Sequence, residues 1–571
     1  MIKRIVAVAL FAFLVSCGEK SVLPQGWTSS QAESFWFMPQ GSKILPYRWF
    51  LALEMKDSQS LFRSDEHMDR LRYITTGKPS KHNPDTLPIG FTREPADETY
   101  PESLGMTCAA CHTSELEIGG KPVLLDGGPG LGDYETFLNE LVEALQATLS
   151  DDAKFQRFAA KAGGGDTTAL RKDVQSWTTD LQSRRDIDLP THPPGYGRVD
   201  ALGNILNEVL SRDLHIPENK EVPDSPVSYP FIWDAHQHDF VQWNGSAPNA
   251  ASGPVLRNIG EVLGVFGRIT FTPRVGAPVS PPAYPQSSVN VKNLISIEAQ
   301  LTTLWSPLWP QNLSAIDSAA ASAGAAIYAQ NCASCHPYLD RASPIRRIEA
   351  TMIPAAKIGT DPSDAVGFLD RIAKTGVLAG SQKFVDETQL FGNTAPAADI
   401  LRNAVFGIQV ANLGVTLPKL EPLKPIQDAQ ADLETGNLVS AFVQRVKANI
   451  ETNVGAVQLM LQGNPPQLQT PMYKGRPLNG VWATAPFLHN GSVPTLWDLL
   501  QDPEKRPKTF FVGSSKYDVK KVGYISVPSE NGLNYYQFDT AIKGNSNSGH
   551  TYGTSLTDEQ KWQLIEYIKT L

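Results

Sequence analysis

Residues 314–336 read SAIDSAAASAGAAIYAQNCASCH, and this stretch decides how the chain is read. The Ala-rich part favours helix by propensity, with Ser314 as a candidate cap and Asp317 three residues on. Gly324 and Tyr328 fall one turn apart on one face. The stretch ends in Cys332-Ala333-Ser334-Cys335-His336, and the same spacing occurs earlier as Cys108-Ala109-Ala110-Cys111-His112. Cys-x-x-Cys-His is the attachment signature of c-type haem. Two thiols three residues apart can each form a thioether with one haem vinyl group. The adjacent His then reaches the iron. A zinc site would need further Cys or His ligands near each pair, and a redox dithiol would not require His in the same place twice. The expectation is two covalently bound c-type haems, with His112 and His336 as proximal iron ligands.

The chain's end supports the second motif. LTDEQKWQLIEYIKTL (556–571) predicts a helix capped at Thr557, with Leu564, Tyr567, Ile568 and Leu571 as its apolar stripe. The helix at 314–331 can cross it where Gly324 permits close approach, with Tyr328 facing Leu564 and Tyr567. Further helices are expected at 134–147 and 199–211. No strong strand pattern is evident. The fold class is therefore read as mainly α, with two cytochrome c-type haem domains, long loops and extensions. The expected division is a signal peptide at 1–16, a leader at 17–105, a first haem domain at 106–312 and a second cytochrome c domain at 313–571.

Composition narrows the class. Lys and Arg number 50 against 59 Asp and Glu, a net charge of −9, which argues against a nucleic-acid partner. Five cysteines in 571 residues, four of them in the motifs, exclude a disulfide framework. The fifth, Cys17, ends MIKRIVAVALFAFLVSC, where Lys3 and Arg4 precede an apolar run too short to span a bilayer. Leu14-Val15-Ser16-Cys17 resembles the lipobox of a bacterial lipoprotein. That resemblance implies lipid on Cys17 and a membrane anchor in the cell envelope. The lack of Asp directly after Cys17 favours the outer membrane, facing the periplasm or cell surface.

Several longer stretches share one likeness: NPDTLPIGF (83–91), TCAACHTSELEIGGKPVLLDGGPGLGDY (107–134), FIWDAHQHDFVQWNGSAPN (231–249), VLRNIGEVLGVFGRI (255–269), GRPLNGVWATAPFLHNGSVPTLWDLL (475–500) and GNSNSGHTYGTSLTDEQKWQLIEYIKTL (544–571). Together they resemble the large di-haem branch of the bacterial cytochrome c peroxidase superfamily, and most of all its rubber-oxygenase-like proteins. The resemblance implies a catalytic haem in the N-terminal half and a six-coordinate, electron-transferring haem in the C-terminal half. It implies His550 as distal ligand of the second iron and His489 as a residue near that haem. Arg257, Asn258 and Glu261 match the family's Arg-Asn-x-Gly-Glu segment and are read as haem-propionate or domain-interface partners. Small di-haem peroxidases carry a His and a Met at positions that are Gly128 and Pro503 here.

Position alone also favours His550, in the loop entering the last helix, with Met352, Met460 and Met472 as alternatives. His67 and His82 are expected at the surface, and His192 and His215 in loop or helix-end positions. His236 and His238 are given a structural role. No His follows His112 until His192, so the first iron is expected to keep an exchangeable position. Trp233, Phe240, Trp243 and Phe266 are candidates for an apolar substrate pocket, and Glu208 or Asp200 for a base within it.

The leading functional reading is a haem oxygenase-type enzyme that uses dioxygen on an unsaturated apolar substrate. The alternatives are a peroxidase that reduces hydrogen peroxide with electrons from a small redox protein, and a non-catalytic electron carrier. A carrier needs far less chain per haem than this sequence spends. Bound calcium is left open. A pyridine haemochrome assay after acid–acetone extraction is expected to return two c-type haems per chain; one or none overturns the reading of the motifs.

Overall fold

The computed structural model describes residues 20–412 and 470–571, apart from positions 164, 250–252, 272–284, 342, 344–346, 382 and 384–388. The signal segment, Cys17 and Met460 lie outside the described residues.

The expectation of a mainly α fold is overturned. Helix takes 38% and strand 16%. Among the described residues, twenty-two strands pair into ten small sheets, none wider than three strands. Most strands are two to four residues long, too short to print an alternating pattern on the sequence. The longest ladder follows the first motif directly. Strand Thr113–Ile118 pairs antiparallel with Lys121–Asp126. Gly119 and Gly120 make the turn, both with positive φ, as a two-residue hairpin loop requires.

Nor are two separate haem domains seen. The larger buried cluster holds Phe35, Leu116 and Trp233 together with Trp482, Phe510 and Leu564, so one apolar core spans both halves. A second cluster shows that the leader is built into the fold. Its Trp49, Phe50 and Phe62 pack with Phe137, Leu141, Phe155 and Phe158. The last four come from helices Tyr134–Ser150 and Asp152–Ala162. His67 belongs to this second core rather than the surface. It is buried, its Nδ1 donating to the Phe62 carbonyl and its Nε2 lying 2.7 Å from Glu140.

The helix crossing is as expected. Helix Ser318–Asn331 packs on helix Asp558–Ile568, with Tyr328 and Tyr567 rings 5.2 Å apart. The N-cap of the first is Asp317 instead of Ser314, its carboxylate accepting from Ala319 and Ala320 N at 3.0 Å. Thr557 caps the second in a reciprocal box with Gln560. A Cβ on Gly324 would run into the Gln563 carbonyl, so only glycine allows the two backbones this close. Gly324→Val is expected to destabilise the protein by about 2 kcal/mol or more, read from denaturant unfolding. An unchanged midpoint would mean that the crossing is not tight.

Candidate functional site

Each motif is a tight turn at the mouth of a cavity. In both, the His amide donates to the carbonyl of the first cysteine at 2.9 Å, His112 to Cys108 and His336 to Cys332. Both imidazoles are then aimed the same way. His112 Nδ1 donates to the Pro230 carbonyl at 2.7 Å, and His336 Nδ1 to the Arg476 carbonyl at 2.8 Å. A carbonyl can only accept, so each ring carries its proton on Nδ1 and keeps the Nε2 lone pair for a metal. Burial keeps both rings neutral, pushing His112 down to about 4.

The second cavity, about 1420 Å³, is lined by Cys332, Cys335, His336, Tyr473, His489 and His550 among others. The His336 and His550 ring centres are 6.3 Å apart. Two metal–nitrogen bonds of about 2 Å each, plus the depth of each ring, require a separation of about 6 Å, so the pair fits one iron between them. His550 is half-buried, its buried Nδ1 has no hydrogen-bond partner among the described residues, and desolvation lowers it to about 4. Its loop is held by buried Arg506, which donates to the carbonyls of Asn547, Gly549 and His550 at 2.6, 2.9 and 3.1 Å. Met352 and Met472 are instead taken up in the ladder Thr351–Pro354 against Met472–Gly475. His489 stacks on Tyr473 at 4.1 Å in the cavity wall.

The first cavity, about 1310 Å³, is lined by Cys108, Cys111, His112, His238, Gln242 and Trp243, and by Arg257, Asn258 and Glu261. The ring beside His112 is Tyr229, at 6.5 Å, and its hydroxyl donates to the Gly132 carbonyl at 3.1 Å. Gln242 Nε2 donates to Glu261 Oε1 at 2.6 Å. Burial raises the Glu261 carboxyl above its usual range, against the pull of Gln242 and Arg257. Arg257 and Asn258 both bond buried Glu298, Asn258 at 2.7 Å, and His236 reaches the other carboxylate oxygen at 3.0 Å.

Phe231, Trp243, Lys474 and Arg476 line both cavities and form their common wall. Arg476 lies 3.1 Å over the Phe231 ring, and its Nη2 has no hydrogen-bond partner among the described residues. Burial depresses it to about 9 and pushes Lys474 well below its usual value. Arg476 is buried and Lys474 half-buried, and among the described residues neither makes an ion pair; a positive charge there calls for an anion. Haem propionates would supply it, and the cysteines, imidazoles and charge of each cavity fit a haem at each motif.

Not every sequence candidate is placed here. Trp243 lines the cavities, whereas Trp233 stands behind, stacked on Phe231 at 4.5 Å, its indole N–H donating to the Asn479 carbonyl at 3.1 Å. Phe240 offers its backbone carbonyl, 3.2 Å from Lys474 Nζ. Phe266 packs on Tyr134 and under Arg184, in the second core. Glu208 is no base in the cavity. It begins a π-helical turn, Glu208–Asp213, and is ion-paired with Arg184 at 2.9 Å and with Arg212 at 2.5 Å. Asp200 caps helix Ala201–Asn207. His192 is an exposed loop residue. Sequence reasoning passed over Gln242, Lys474 and Arg476 and gave His238 to structure. His238 is buried on the first cavity, its Nδ1 without a partner. Among the described residues, no group of three or more His, Cys, Asp or Glu side chains could hold a metal ion, so nothing here supports a calcium site.

A family model described as RoxA-like, cytochrome c-like matches residues 472–511, the stretch that supplies Lys474, Arg476 and His489. The chain is 31% identical to "Uncharacterized protein y4iJ" of Sinorhizobium fredii, across 96% of this chain and 93% of that one. It is 25% identical to "Uncharacterized protein y4iM" of the same organism, across 66% of this chain and 72% of that protein.

His550→Ala is expected to open the second iron to carbon monoxide or imidazole, seen as loss of its low-spin signal. An unchanged low-spin spectrum would turn attention to His489 or Met352 as ligand.

Proposed function

The chain belongs to the same family as the y4iJ protein and carries a rubber-oxygenase-like cytochrome c segment, and on that premise we propose a di-haem oxidoreductase whose work is divided between its two cavities. In this reading the first cavity is where dioxygen or hydrogen peroxide meets an unsaturated apolar substrate, and the second passes electrons. A haem at each motif would supply redox-active iron, with an exchangeable position at the first. What carries the reading is the contrast between the sites. His550 faces His336 in ring contact, whereas among the described residues the ring in contact with His112 is Tyr229, its hydroxyl donating to the Gly132 carbonyl, and His238 lines the cavity without a ring contact to His112.

The residues divide the work as follows. Pro230 and Arg476 orient the proximal imidazoles through their carbonyls. Trp243 and Phe231 keep water from the common wall. Glu261, its carboxyl raised above the usual range by burial and bonded to Gln242, is placed at the cavity to take up and return a proton. That last feature also favours the second reading, a peroxidase, because moving a proton between peroxide oxygens needs such a group. Electrons would come from a small redox protein. Lipid on Cys17 would tether the protein in the cell envelope.

Oxygen uptake with an unsaturated apolar substrate and no added reductant, giving cleaved or hydroperoxidised product, is expected; turnover only with peroxide and a reduced cytochrome selects the peroxidase. If neither iron binds carbon monoxide or peroxide, both enzyme readings fall. Glu261→Gln is expected to lower turnover about 100-fold with haem content unchanged, and an unaffected rate would remove Glu261 from proton handling.

A further inference from the structure

A third cavity adjoins the first haem-motif cavity. It measures about 840 Å³ with the space open to solvent included, and is lined largely by apolar side chains. Two helices form its walls. Gly253–Gly264 contributes Gly253, Leu256, Arg257, Gly260 and Glu261, which recur at three- and four-residue steps on one face. Ala397–Ala411 contributes Ala398, Leu401, Arg402 and Val405 in the same rhythm. Gly260 lies in the lining between them: a Cβ there would meet Val405 Cγ1 at 3.7 Å, in ordinary contact, so a small side chain fits and a large one would take up cavity space.

Two features fix the character of an occupant. Gln242, Arg257 and Glu261 line this cavity and the first haem-motif cavity alike, so its inner end abuts that site. Its charged groups are also matched. Arg402 lies 3.3 Å from Asp399, Arg257 is paired with Glu298, and Glu261 accepts from Gln242. An anionic ligand would find both lining arginines already paired among the described residues and would bear the cost of leaving water.

We infer that this cavity is the binding site for the organic substrate, and that it takes a neutral, predominantly apolar molecule whose single hydrogen-bonding group points at the Gln242–Glu261 pair. The inference rests on the proposed function and names where and in what form its substrate is held. Leu256, Leu401 and Val405 then set the size limit, and Gly260 is the residue on which capacity depends.

The test uses the holoprotein and 2-naphthol, an apolar bicycle with one hydroxyl, followed by fluorescence quenching. Saturable binding is expected in the wild type. Gly260→Leu is expected to weaken it at least tenfold with both haem spectra unchanged. Ala398→Leu, on the opposite helix, repeats the test should Gly260→Leu fail to accumulate. Naphthalene-2-sulfonate is expected to bind at least tenfold more weakly than 2-naphthol. No saturable binding of 2-naphthol, equal binding in a filled variant, or tighter binding of the sulfonate overturns the inference. Carbon monoxide titration of the same preparations separates the two claims. If carbon monoxide binds but 2-naphthol does not, this cavity is wrong and the proposed function stands. If carbon monoxide fails, that function falls, whether or not 2-naphthol binds.

Discussion

Placing a basic side chain away from water without an ion-pair partner is among the costlier things a fold can do, and here Arg476 is buried and Lys474 half-buried with no ion pair among the described residues. Lys474 lies in the strand Met472–Gly475 that pairs with Thr351–Pro354, Arg476 directly follows it, and both line the wall where the two large cavities meet. Arg476 is committed from both ends. Its carbonyl fixes the tautomer of His336, and its guanidinium lies on Phe231, the immediate neighbour of the Pro230 whose carbonyl fixes His112. One short segment therefore orients one proximal ligand directly, braces the support of the other, and brings positive charge to both cavities. The apolar core can run through both halves of the chain because the two sites share this wall instead of being enclosed separately.

What could be read in the sequence follows from how local each constraint is. Thioether attachment and ligation by the next residue require contiguous side chains, so the two motifs are legible at once. The helix crossing is legible because Gly324 and Tyr328 repeat on one face and Thr557 announces the partner helix. His550 is legible from its place before that helix. The hairpin after the first motif also has a local signature, Gly119-Gly120 between two six-residue strands, the first of which alternates buried and half-buried residues from Ser114 to Ile118. The remaining strands were not legible. A two-residue strand such as Phe240–Val241 is defined by its partner Ala247–Pro248 and leaves no period of its own.

The pocket residues failed for a related reason. Aromatic content marks an apolar neighbourhood without saying which ring faces the site. Trp233 and Trp243 sit ten residues apart on the same loop-rich stretch, yet one supports Phe231 from behind and the other lines the wall. Glu208 looked like a base because it lies on a helix near the site, but its partners Arg184 and Arg212 are on that helix and the one before, where the ion pairing is satisfied. The carboxyl at the cavity is Glu261, and what distinguishes it is Gln242, on a different element. A pair brought together by tertiary structure, with no fixed sequence spacing, has no signature to find.

The asymmetry between the two sites is what gives the arrangement a direction. Around His336 the protein spends an Arg506 clamp and a strained loop, His550 standing at φ 44°, to put a second imidazole opposite the first. Around His112 the cavity wall carries His238 and a carboxyl–amide pair, Glu261 with Gln242, and beyond them lies the third cavity with Gly260 in its lining. A metal closed by two imidazoles reorganises little when its charge changes, which suits electron passage. A site bordered by a proton-holding carboxyl and an apolar compartment suits bond-making on a molecule admitted from the side. With only the Phe231–Trp243–Lys474–Arg476 wall between them, the proposed division of labour needs no large movement of one half against the other.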